Sequence, residues 1–211
     1  MEFIYNDTNN SGIFIQIGSG AGDLDPRSNY RDGFTEFIKK LPKYRVKQII
    51  LIEPNPLNIA LLKECWKDYP QALIYELAIV PSYFTNTSID LHYCPDDGPH
   101  YHVASIVKEH IYKHYNDCSL NKFVVNTKCL EQLFNELLIK DIELLSLDIE
   151  GIDEEIILDI KFNNINIKYF SFEFIHIKNG SIVTQHLIDN NYHFLGMGCD
   201  YKNYDYLYVK K

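Results

Sequence analysis

No apolar run in the chain reaches the roughly 18 residues that a membrane-spanning helix needs. The opening residues, Met1-Glu2-Phe3-Ile4-Tyr5-Asn6-Asp7, lack the basic start and apolar middle of a secretory signal. Positive charge is scarce: 20 Lys and Arg stand against 29 Asp and Glu, for a formal net charge of -9. That balance argues against a nonspecific nucleic-acid binder, whose affinity comes from basic surface. The five cysteines (Cys65, Cys94, Cys118, Cys129, Cys199) form no C-x-x-C pair. An odd, scattered set is expected to be reduced thiols in a cytoplasmic protein. Internal repeats, low-complexity tracts and linkers are also missing, so residues 1–211 are expected to form one domain. What the chain does hold is apolar bulk, with 16 Tyr and 12 Phe in 211 residues, enough for a sizeable core and against disorder.

The organising stretch is Ile13-Phe14-Ile15-Gln16-Ile17-Gly18-Ser19-Gly20-Ala21-Gly22-Asp23. A short β-branched run reads as a buried strand. It stops at glycines, which permit a tight turn and close approach of a ligand to the backbone. A second apolar run, Val46 to Ile52, ends in Glu53-Pro54-Asn55-Pro56. Further strands are expected over Ala72 to Leu77, Ile142 to Leu147, Ile167 to Phe174, Tyr192 to Met197 and Asp205 to Val209. Helices are expected near Asn29 to Lys40, over Leu57 to Trp66, after a cap at Thr127, over Asp153 to Leu158, and over Ser181 to Asp189. Ser88 to Cys94 and Asn121 to Val125 read as extended arms, and Ile106 to Tyr115 as a possible helix, within an otherwise irregular segment spanning 82–121. Strands alternating with helices imply an α/β fold with a mostly parallel sheet and helices on both faces; the short link between the last two strands makes them an antiparallel pair.

In open sheets of this kind ligands bind outside the carboxyl ends of the strands. Four such ends carry glycine or polar residues: Gly18-Ser19-Gly20, Glu53, Ala78, and Asp148-Ile149-Glu150-Gly151. Glu53 is placed to accept hydrogen bonds from ribose hydroxyls. The glycines read G-x-G-x-G, not the G-x-G-x-x-G of a dinucleotide site, and Glu53 lies well beyond the usual spacing of the ribose acid. Asp23-Leu24 stands where a phosphate-clamping loop needs Lys-Ser/Thr. An acid there suits a ligand with an ammonium group, so a cofactor with an adenosine half and an amino-acid half meets both demands.

On these residues the chain resembles the S-adenosylmethionine-dependent methyltransferases of the FkbM type. The matching pieces are Phe14 to Gly22, Ile52-Glu53-Pro54-Asn55-Pro56, Leu77-Ala78-Ile79, Thr127 to Leu133, Leu145 to Gly151, and Phe170 to Phe174. The Glu-Pro-Asn-Pro and Asp-x-Glu-Gly turns are the most specific. The resemblance implies a Rossmann-like class I methyltransferase sheet of seven strands with the last one antiparallel. It also implies roles. Gly18, Ser19 and Gly20 pass under the methionine half; Glu53, beside Pro54, holds the ribose; Leu77 and Ala78 border the adenine; Asp148 sits by the sulfonium. Ser105 stands where the family often has a serine able to touch cofactor or substrate. Gln16 replaces the family's usual acid; Asp23 or Asp148 is then expected to supply charge near the ammonium. The acceptor implied is a hydroxyl on a sugar, glycan or small molecule, with neither nucleic acid nor membrane as partner; oligomeric state is left open.

Methyl transfer to oxygen needs alignment and a proton acceptor. Asp148, Glu150 and His176, at the ends of neighbouring strands, are the candidates. His100-x-His102 and His110-x-x-x-His114 have ligand-like spacings, but the H-E-x-x-H pattern is absent and no metal is assigned. Cys94-Pro95 has nothing around it to support cytosine methylation, and the Asn/Asp-Pro-Pro-aromatic turn of amino-methylating DNA enzymes is missing. Two other functions are weighed: a methyltransferase-like binding module without catalysis, favoured by Gln16, and a nicotinamide-dependent oxidoreductase, disfavoured by the glycine spacing.

Overall fold

The computed structural model describes residue 4 and residues 11–24, 31–98, 103–198 and 204–211. The start of the first expected helix, His100, His102 and Cys199 lie outside the described residues. Ten strands and six helices are seen among those described. They are β1 (Gly12–Ile17), α1 (Gly33–Lys40), β2 (Val46–Ile52), α2 (Pro56–Cys65), β3 (Ala72–Tyr75), β4 (Ala78–Ile79), β5 (Ser88–Tyr93), α3 (Lys108–His114), β6 (Asn121–Lys128), α4 (Leu130–Glu136), β7 (Asp141–Leu147), α5 (Asp153–Asp159), β8 (Asn166–Glu173), α6 (Gly180–Asp189), β9 (Tyr192–Met197) and β10 (Asp205–Lys210).

Seven strands form the main sheet in the order β3-β2-β1-β7-β8-β10-β9. All neighbours pair in parallel except β10, which runs antiparallel to both β8 and β9. This is the class I methyltransferase arrangement expected from the sequence. The strand order reverses at β1, so the crevice over the carboxyl ends of β1 and β7 is the place for a ligand.

Period-2 alternation along the strands loads both faces. One carries Ile15, Ile17, Ile50, Ile52, Leu145, Leu147, Phe170 and Phe172, packed by α4, α5 and α6 through Leu133, Phe134, Ile156, Ile157, Val183 and Leu187. The other carries Phe14, Ile49, Leu51, Leu144 and Tyr169, packed by α1 and α2 through Phe34, Phe37, Ile38 and Leu62. Caps fix the helix starts. Asp32 accepts from Thr35 N at 2.8 Å before α1, and Asn55 accepts from Leu57 N at 3.1 Å before α2, where Pro56 fills the first helical position.

The structure corrects three expectations. Thr127 does not cap α4. It belongs to β6, and Cys129 takes the cap in a reciprocal box with Gln132. The third strand ends at Tyr75. After Glu76 and Leu77 the chain leaves the main sheet, and Ala78-Ile79 pairs with β6 in a second sheet of order β4-β6-β5. Within the segment 82–121, β5 and α3 fall where the extended arm and the helix are expected. Cys94 and Cys118 are joined in a disulfide, and the free cysteines among the described residues are Cys65 and Cys129. The scattered-thiol reading fails because proximity of two cysteines 24 residues apart is set by the turn after β5 and the return to β6, which spacing does not reveal. The bond also removes the cysteine argument for a reducing, cytoplasmic setting. No helix among the described residues is long and apolar enough to cross a membrane.

Candidate active site

A cavity of about 450 Å³ opens over the carboxyl ends of β1, β2 and β7, and Leu77, Ala78, Ile79, Leu91, Val103 and Ile106 close one side of it. That volume lies within the range of small-molecule sites, roughly 300–1,000 Å³. Gly18, Gly20, Glu53, Pro54, Leu77, Ala78, Asp148, Glu150 and His176 all stand on its wall.

The glycine loop is held by its neighbours. The amides of Gly18 and Ser19 both donate to Ile52 O, at 2.9 and 3.1 Å. Gly18 has φ +82 and Gly20 φ +53, conformations that favour glycine. The Gly20 amide donates to Glu53 Oε2 at 2.7 Å, and the Asn55 amide donates to Oε1 at 2.9 Å. Asn58 Nδ2 adds a longer bond of 3.3 Å to Oε1. Glu53 is 5% exposed, and its carboxyl is pushed up by burial while these three donors pull it back. Its orientation is thus set before any ligand arrives.

Four expected site residues stand behind the wall. Gln16 lies on the α1 face of the sheet with its Nε2 donating to Asp32 Oδ1 at 2.9 Å. The Ser19 hydroxyl turns back to Gln16 O at 3.3 Å. Asp23 pairs with Lys39 at 3.1 Å. Ser105 is buried; its hydroxyl donates to Glu150 O at 2.6 Å and accepts from Val107 N at 3.0 Å, so it props the turn that carries Glu150.

The other end of the cavity is acidic. Asp148 is half-buried, and desolvation together with the charges of Glu173, Glu150, Asp153 and Asp205 raises its carboxyl well above the usual range. Its Oδ1 has no hydrogen-bond partner. Glu173 and Asp205 sit directly opposite each other across the antiparallel β8–β10 pair, a like-charge placement that disfavours the sheet on its own. Both line the cavity. Sequence reading passed over Asp205 and gave Glu173 no role. An acid opening the last antiparallel strand, opposite the acid that closes β8, was the available signal.

Glu150 sits at φ +55, followed by Gly151 at φ +110. Its Oε2 lies 2.7 Å from His110 Nε2 and 3.8 Å from His176 Nε2. His176 Nε2 is also 3.5 Å from Glu173 Oε2. Burial holds His176 below the usual imidazole range, with Glu150 pulling it up and His110, His114 and Lys113 pushing it down.

The sequence matches the methyltransferase FkbM domain over residues 16–201. The chain belongs to the FkbM methyltransferase family. No curated protein matches it. Among solved structures this FkbM chain is similar to a precorrin-6y C5,15-methyltransferase from Geobacter metallireducens, with 11% identity, TM-score 0.49, and coverage of 99% of this chain and 84% of that one. It is also similar to the fibrillarin of Aeropyrum pernix solved with natively bound S-adenosyl-L-methionine, at 9% identity and TM-score 0.47, covering 95% of this chain and 66% of that one. A third is TrmK of M. capricolum in complex with S-adenosyl-homocysteine, at 10% identity and TM-score 0.42, covering 99% of this chain and 65% of that one. As a member of the FkbM methyltransferases, the chain uses S-adenosylmethionine as methyl donor. The cavity fits that molecule. A pre-oriented buried carboxylate suits a diol, and the acidic end, with the unpartnered Asp148 Oδ1, suits a ligand bearing positive charge.

Proposed function

We propose that the chain methylates a hydroxyl group on a sugar, glycan or other small molecule, with residues 1–211 acting as one methyltransferase domain. The observation that carries this reading is the Glu53 carboxylate, clamped between the Gly20 and Asn55 amides on the cavity wall. When bound, S-adenosylmethionine would supply an electrophilic methyl group carried on a sulfonium. Glu53 accepts from the ribose hydroxyls, Leu77 and Ala78 border the adenine, and Gly20 leaves room for the backbone of the loop to approach. Asp148 offers its partnerless oxygen to the cationic end.

Glu150 takes the acceptor's proton. Its carboxylate faces the cavity, His110 holds its Oε2 at 2.7 Å with His176 nearby at 3.8 Å, and Ser105 fixes its backbone. Orientation of this kind is worth roughly 7–11 kcal/mol of barrier when the acceptor oxygen is held in line. The segment 82–121 shapes the acceptor side, as loops over a rigid sheet commonly do. Carboxylates of Glu53, Asp148, Glu150, Glu173 and Asp205 line the cavity, which favours a neutral or cationic acceptor over a phosphate-rich one.

Titration calorimetry with S-adenosylhomocysteine tests the donor half: saturable binding that Glu53→Ala weakens supports it, and no heat with the native chain overturns it. Incubation with methyl-labelled donor and panels of sugars, phenols and oligonucleotides tests the acceptor half. Label in an oxygen ether of a small molecule supports the reading; label only in nucleic acid overturns it.

A further inference from the structure

We propose that His110, His114 and His176 bind one divalent transition-metal ion at the acceptor end of the cavity, beside Glu150. His110 and His114 lie one turn apart on α3, and His176 comes from the loop after β8. The three imidazoles each present a ring nitrogen within 4.8 Å of the others. Their ring centroids are 4.5, 5.1 and 5.7 Å apart. An ion with bonds of 2.0–2.1 Å needs nitrogens about 3.4 Å apart, so closure takes side-chain rotations on the order of 1 Å. His114 is exposed and free to make them.

His110 is 2% exposed, and its Nδ1 has no hydrogen-bond partner while Nε2 engages Glu150. A carboxylate beside a metal-binding imidazole orients the ring, and Glu150 stands in that place for His110. Glu150 and Glu173 both reach His176, and their negative charge offsets Lys113, which lies within electrostatic range of it. Three imidazoles select a borderline ion such as zinc, cobalt or iron(II) over magnesium or calcium, which prefer oxygen. The role of the ion rests on the methyl-transfer reading; its binding does not. There, an acceptor hydroxyl on the ion is acidified and its proton passes to Glu150, with nothing oxidised or reduced.

The test uses the full, tag-free chain, stripped of metal, with cobalt(II) followed by visible absorption and zinc by calorimetry. The expected result is about one ion per chain and at least tenfold weaker binding in His114→Ala, whose exposed position leaves the fold intact by circular dichroism. No saturable cobalt signal, or equal affinity in the variant, overturns the site. Calorimetry with S-adenosylhomocysteine on the same metal-free sample separates the two readings. Homocysteine-cofactor binding without cobalt binding removes the ion site alone; cobalt binding lost in His114→Ala without cofactor binding sustains the ion site and removes the methyl-transfer reading.

Discussion

Gly18 and Asp148 meet backbone to backbone: a Cβ placed on Gly18 would stand 1.7 Å from the Asp148 carbonyl oxygen. The ends of β1 and β7 are pinned at this contact, with the Asp148 amide donating to Ile17 O at 2.9 Å. Gly20, two residues on, also has positive φ but nothing within 4 Å of its missing Cβ. The two glycines therefore predict different losses. Gly18→Ala carries both the left-handed strain and a clash that neither backbone can relieve, at a cost of about 3 kcal/mol or more. Gly20→Ala carries the strain alone, about 1–2 kcal/mol, and directs a methyl group at the cavity. Urea unfolding is expected to show a large shift for the first and a small one for the second. Cofactor calorimetry is expected to show that Gly20→Ala nonetheless binds weakly.

Glu53→Gln tests the ribose contact at constant volume. It removes the charge, keeps one carbonyl acceptor, and sets its NH2 against one of the two backbone amides that the carboxylate accepts from. Hydrogen bonds to charged groups contribute about 1.5–3 kcal/mol, so S-adenosylhomocysteine affinity should fall roughly 10- to 150-fold. An unchanged dissociation constant would falsify the assignment of Glu53.

Much of this site was legible because its parts sit at strand ends that local sequence marks. β-branched runs closed by Gly18, Glu53 and Asp148 give the strand, its stop and the chemistry together. What was hidden depends on contacts between distant segments. Nothing near Gln16 indicates that its side chain turns to Asp32, across 16 residues, on the face away from the cavity. The His110–His114 spacing was visible, but the third histidine arrives only when the β8 loop packs against α3. Ala78-Ile79 was read only as the close of the third strand because two residues carry no period of their own; their partner is β6, far along the chain.

Asp153 gives the clearest pH dependence. Burial raises its carboxyl from 3.8 to about 6, against the pull of its bond from the Ile149 amide. The folded state therefore keeps a proton that the unfolded state has lost between those two values. Stability from this group is highest below about pH 4, falls as pH rises through the window, and is flat above about 6. Asp153→Asn retains an acceptor for Ile149 N and cannot ionise. Relative to the native chain, its stability is expected to gain about 2–2.5 kcal/mol between pH 4 and pH 7, read from urea midpoints at both values. A difference that stays constant with pH would contradict burial as the cause.

The disulfide between Cys94 and Cys118 closes a 24-residue separation that contains α3, and with it His110 and His114. Loop closure of this length stabilises by about 3–4 kcal/mol through restriction of the unfolded chain. Replacing both residues in Cys94→Ala/Cys118→Ala should lower urea stability by about that amount. It should also speed proteolysis within the closed segment before the main sheet opens, because β5 and β6 join the seven-stranded sheet through no strand pairing of their own. Thiol titration of the denatured, unreduced chain checks the bond directly: three reactive thiols out of five are expected, and five would mean that the pair is not oxidised. If the bond forms, reduction should loosen His110 from Glu150 and so weaken acceptor turnover more than cofactor affinity, since Glu53 is anchored on β1 and β2 and not on the closed loop.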